Sequence, residues 1–156
     1  MPSIDLTLGE LDRFAQRFRA EFGTPRHILP LPNLRINRIT TIFIDFNLTQ
    51  LQIGANIANV GTVAAGPFNV MTIIPPDPPL FQRVDGLAPG TAIDLVLTVL
   101  ENAGGQETCV TVVVDPPTNE RPYGEVFESN IEDNVLTDCF IVLKPPDKIP
   151  IPDDKR

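Results

Sequence analysis

The sequence predicts an all-β domain, an immunoglobulin-like antiparallel sandwich of seven strands preceded by an amphipathic helical arm. Three observations carry that prediction. Apolar residues recur with a period of two over most of the chain, the spacing that lines one face of a strand. Seventeen prolines against ten glycines fall mainly between those apolar runs or at the chain ends, where proline punctuates strands without breaking their ladders. Trp is absent and aromatics make up 6%, so the core is left to Val, Ile and Leu, residues suited to a pleated sheet.

The arm comes first. Thr7 and Glu10 have capping-box spacing, Leu6 and Leu11 fit a hydrophobic staple, and Gly23 and Pro25 end the run. Between them Leu8, Leu11, Phe14, Phe18 and Phe22 follow three- and four-residue steps opposite Asp12, Arg13, Gln16, Arg17 and Arg19. That apolar stripe needs a cover, either this chain's own sandwich or a second subunit. Residues 1–32 therefore form arm and connector, residues 33–144 the sandwich, and residues 145–156 a proline-rich extended tail.

In the body the alternation starts at Leu34 and Ile36 and runs through Ile42, Ile44, Phe46 and Leu48. It then changes parity, because Leu51, Ile53, Ala55 and Ile57 are the next apolar positions, so a bulge or turn is expected near Thr49 and Gln50. Asn59-Val60-Gly61 ends this strand with turn chemistry. Phe68, Val70 and Ile74 mark a third strand, closed by Pro75-Pro-Asp-Pro-Pro79, and Leu80 to Val84 suits a short edge strand. Ile93, Leu95, Leu97 and Val99 alternate strictly. Thr108 to Val114 is nearly continuous and β-branched, the pattern of a central strand buried on both sides. Val135 to Leu143 supplies the last strand.

Charge narrows the partners. The chain carries a net charge of −8, yet its first 40 residues hold six basic and four acidic residues against six and sixteen in the remainder. An acidic body repels phosphate backbones, so nucleic acid is not the expected partner; the basic arm is suited to an acidic neighbour, including another copy of the body. No apolar run reaches the length of a membrane span, and the N-terminus lacks the pattern of a secretory signal.

No catalytic set is expected. The lone histidine, His27, lies in the connector, and neither a Gly-x-Ser-x-Gly elbow nor a phosphate-binding glycine loop occurs. Two cysteines and one distant histidine do not make a zinc site. If Asp115 faces Asn134 in antiparallel register, Cys109 and Cys139 become near neighbours on adjacent strands. They are then a disulfide, two reduced, buried thiols, or cysteines paired between molecules. The loop between those strands offers Asp115, Glu128, Asn130 and Asp133 as oxygen ligands suited to calcium, without EF-hand spacing; solvated turn residues account for the same letters.

Three segments stand in order along the body: Ile57-Ala-Asn-Val-Gly-Thr-Val-Ala-Ala-Gly-Pro-Phe68, Gly86-Leu-Ala-Pro-Gly-Thr91, and Val112-Val-Val-Asp115 with Glu128-Ser-Asn-Ile-Glu-Asp-Asn134. Together they resemble the CARDB family, the cell-adhesion-related domain found in bacteria. The resemblance covers roughly residues 45–143. It departs from the family pattern in the insertion Pro116 to Gly124 and in Asp133, where the family usually has Asn. It implies an extracellular or surface-associated module with no catalytic residues to carry over. Two functions are expected: from the uncovered arm stripe, the opposite charges of arm and body and the lack of a catalytic set, a structural subunit that assembles with copies of itself; from the resemblance alone, an adhesion module that binds a surface glycan.

Overall fold

A computed structural model describes residues 30–45, 49–101 and 105–141. The arm with Leu8, Leu11, Phe14, Phe18 and Phe22, the connector's His27, and the proline-rich tail lie outside the described residues. Seven strands occur among those described: β1 (Leu34–Phe43), β2 (Gln50–Asn59), β3 (Phe68–Ile73), β4 (Leu80–Val84), β5 (Ala92–Glu101), β6 (Glu107–Val114) and β7 (Val135–Ile141). They form two antiparallel sheets, one ordered β1-β2-β5 and the other β4-β3-β6-β7.

The inward residues of both sheets make one core. Ile53 and Ile57 of β2, Phe68 and Val70 of β3, and Val110 and Val112 of β6 are all fully enclosed. Each such side chain contributes roughly 1.5–3 kcal/mol through loss of apolar surface from water.

Strand by strand, the pattern differs from simple alternation where the ladder carries an extra residue. In β1 the register slips between Ile36 and Arg38, so the inward positions change from Leu34 and Ile36 to Ile39. Ile42 is thereby turned outward and is 57% exposed. In β5, Ile53 of β2 pairs with Thr98 while Gly54 pairs with Val96, leaving Leu97 as the bulged residue. Beyond it Leu100 packs on the core and Val99 faces out. A bulge reverses the facing of everything after it, which is why strict alternation through Val99 does not hold.

Between β1 and β2 the chain reverses in a hairpin, with Phe46 and Leu48 outside the described residues. The Asp45 carboxylate accepts hydrogen bonds from the backbone N–H groups of Thr49 and Gln50 and from the Thr49 hydroxyl, gathering the chain into the turn. Strand β6 is central, between β3 and β7, but it is not buried on both sides. Val110, Val112 and Val114 are enclosed while Thr111 and Val113 are half-buried, because only one face of this sheet meets the other sheet. Cys109 and Cys139 stand directly opposite in the β6–β7 register and are joined by a disulfide, with Cα atoms 4.0 Å apart. Closing a loop of this length contributes roughly 3–4 kcal/mol by restricting the unfolded chain.

At one pole of the sandwich the backbone passes very close to itself. Val60 donates its N–H to the Asn33 carbonyl at 2.8 Å and Thr62 to that of Leu31 at 3.2 Å. A Cβ on Gly61, between them, would collide with the Leu31–Asn33 backbone. Gly61→Ala is therefore expected to cost about 2–3 kcal/mol in urea unfolding, since backbone and not a flexible side chain must move.

Candidate functional site

That pole also holds a buried side chain that makes four hydrogen bonds. Asn59, the last residue of β2, is fully buried. Its Oδ1 accepts hydrogen bonds from the N–H groups of Asn33 (3.1 Å) and Gly61 (3.0 Å). Its Nδ2 donates to the carbonyls of Val63 (2.8 Å) and Leu87 (3.0 Å). Buried amides are tolerated when every polar atom is matched in this way.

Asn33 leads onward to a second set of contacts. Its Nδ2 donates to Asp133 Oδ2 at 3.3 Å. The next residue, Leu34, donates its backbone N–H to Glu128 Oε2 at 2.6 Å, and Glu128 Oε1 accepts from Asn134 Nδ2 at 2.7 Å. Because Asn33–Leu34 and Asp133–Asn134 are each joined by a peptide bond, these contacts close a ring. It ties the first strand to the β6–β7 loop and its single 3-10 turn, Glu132–Asn134. Three oxygens of the ring, Asn33 Oδ1, Asp133 Oδ1 and Asn134 Oδ1, are buried with no hydrogen-bond partner.

Of the four oxygen ligands that the sequence offers for calcium, the ring thus brings two together and leaves the other two apart. Glu128 and Asp133 stand on the ring. Asp115, in the left-handed region at φ 51°, instead accepts the N–H groups of Glu125 and Val126, each at 2.8 Å, and so closes the inserted loop. Asn130 Oδ1 accepts the Glu132 N–H at 3.0 Å, a local turn. Asn33 is missing from the sequence reading because it lies 100 residues from its partner Asp133. Asn134 was legible only as one more polar letter of the loop. Among the described residues, the group of His, Cys and acidic side chains close enough to share a metal is Glu107, Cys109 and Cys139, but its sulfurs are spent in the disulfide.

Burial governs the acids. The Glu128 carboxyl is pushed up to about 7, first by desolvation and further by the nearby charges of Asp115 and Asp133; the hydrogen bonds from Asn134 and Leu34 act against this. Asp115 is also raised, again chiefly by burial, despite the two backbone N–H groups it accepts.

These observations define a class, an all-β module of seven strands in two antiparallel sheets whose first strand is latched at one pole by amide and carboxylate groups. The CARDB family model matches residues 31–138, and the chain belongs to the CARDB family. Two solved structures are similar in fold. One is the CARDB domain of a Pyrococcus furiosus protein, crystallised in complex with di-metal ions, at 18% identity and TM-score 0.57, covering 76% of this chain and 94% of that one. The other is a domain of a Methanosarcina acetivorans protein assigned to the cell surface, solved by NMR, at 24% identity and TM-score 0.56, covering 74% and 95%. A comparison with curated proteins finds no match. Among the described residues no helix is long and apolar enough to cross a membrane.

Glu128 makes stability depend on pH in a stated direction. Its folded pKa, about 7, lies above the ordinary 4.5, so its contribution is fully present below about 4.5 and is lost as pH rises through about 7. With chelator present, unfolding free energy is expected to fall by on the order of 2 kcal/mol across that window, and Glu128→Gln should flatten the slope. Urea titrations at several pH values check both.

Proposed function

We propose that the chain is a non-catalytic structural module at a cell or particle surface that self-associates through the outer face of its β1-β2-β5 sheet. The observation that carries the reading is the make-up of that face. The registers align Arg38, Asn56 and Asp94 in one row, Thr40, Gly54 and Val96 in the next, and Ile42, Gln52 and Val99 in a third. The face is therefore polar toward the start of β1 and apolar toward its end, where Val96 is 54% exposed beside the outward Ile42 and Val99. Family membership supports the surface setting, and the adhesion alternative is compatible with it.

Self-complementarity favours a second copy as occupant. A two-fold axis parallel to the strands lays β1 of one copy over β5 of the other in the same rows. Arg38 then faces Asp94, and Ile42 faces Val99. Within one copy Arg38 and Asp94 are 4.0 Å apart and largely exposed, a pair worth little in water that gains when covered.

Sedimentation of the full chain at micromolar concentration tests this. A dimer or larger species is expected, and Val96→Lys with Val99→Lys should shift it to monomer. Phe14→Glu, on the stripe of the arm, asks whether that segment contributes. A strictly monomeric wild-type chain contradicts the reading and turns attention to surface glycan binding.

A further inference from the structure

The ring at the latched pole leaves a chemical problem unsolved by the protein itself. Asn134 is 6% exposed, and its Nδ2 donates to a carboxylate oxygen of Glu128. When Glu128 is ionised its carboxylate only accepts, so the amide presents Nδ2 to it and the amide oxygen points away. Asn33 repeats the arrangement, with its Nδ2 on the Asp133 carboxylate. Both amides thus spend their donors on acids, and both amide oxygens are left without a donor, as is Asp133 Oδ1. Unpaired buried acceptors are uncommon in folded proteins and each is costly; here three fall on one closed ring that also contains a second acid, Glu128.

We propose that this ring is a binding site for a calcium ion, with Asn33 Oδ1, Asp133 Oδ1 and Asn134 Oδ1 as protein ligands and the Glu128 carboxylate as a second source of negative charge. The donor chemistry selects the ion. All the oxygens are hard donors, carboxylate and amide carbonyl, without sulfur or imidazole, and such sets take calcium at flexible coordination number. A bound cation supplies the positive charge that these donor-less oxygens lack. It also joins the entry of β1 to the β6–β7 loop, so binding stabilises the folded chain.

The test uses the full chain freed of metal with chelator, then titrated with calcium chloride at constant ionic strength. Thermal unfolding should shift upward by roughly 4 °C or more in millimolar calcium, and calorimetry should show a saturable site. Asp133→Asn keeps the shape and an acceptor for Asn33 while removing the charge. It should fold with a cation-free midpoint at or above that of the wild type and bind calcium at least about tenfold more weakly. No calcium effect on the wild type would assign the three oxygens to bound water and overturn the proposal. An equal shift in Asp133→Asn would overturn it too, by placing the ion elsewhere on the acidic body.

Discussion

The fold depends on one buried amide. Asn59, at the end of β2, sits where the approach to β1, the Gly61–Val63 turn and the Leu87 turn converge, and its side chain bonds to all three. Its backbone takes part as well, donating to the Thr91 carbonyl and accepting from the Gly90 N–H. In a low-dielectric interior a fully matched amide fixes its partners in a single arrangement, whereas a half-matched one is worse than a hydrocarbon. The close approach at Gly61 follows from this arrangement, since the strand entering β1 must lie against the turn that leaves β2.

From Asn59 the constraint passes through Asn33 to the ring of Glu128, Asn134 and Asp133. The first strand is therefore held at its start by polar contacts to two other parts of the chain, and along its length by its ladder with β2. The disulfide ties β6 to β7 on the opposite sheet. The polar latch thus joins the two sheets across one pole while the covalent bond secures two strands within one of them, and the latch is the part whose strength responds to pH.

Much of this architecture was legible in the sequence because strand alternation and proline spacing are local signals. Leu51, Ile53, Ala55 and Ile57 read as one face of a strand and are one. The edge strand Leu80–Val84 and the last strand from Val135 were equally plain. The bulges were not, since nothing in Ile36-Asn37-Arg38 or Val96-Leu97-Thr98 distinguishes an extra residue from a paired one; only the partner strand decides it. Those two slips place Ile42 and Val99 outside, and with them the apolar outer face. The site was less legible still. Asn59 read as a turn residue, although its role is set by four partners, the farthest 28 positions away. Asn33 lacked any local mark, while Glu128 and Asp133 stood out only as acids of an acidic loop.

The central claim, that Asn59 organises this pole, is tested most directly by urea unfolding of Asn59→Leu. Leucine fills nearly the same volume but leaves the N–H groups of Asn33 and Gly61 and the Val63 carbonyl without their partner, while the Leu87 carbonyl keeps the Ala65 N–H. A loss of about 4 kcal/mol or more, or failure to fold, is expected because several buried groups are orphaned at once. A loss under about 1 kcal/mol, within the range of an ordinary surface change, would show that the strands hold this pole together without the amide.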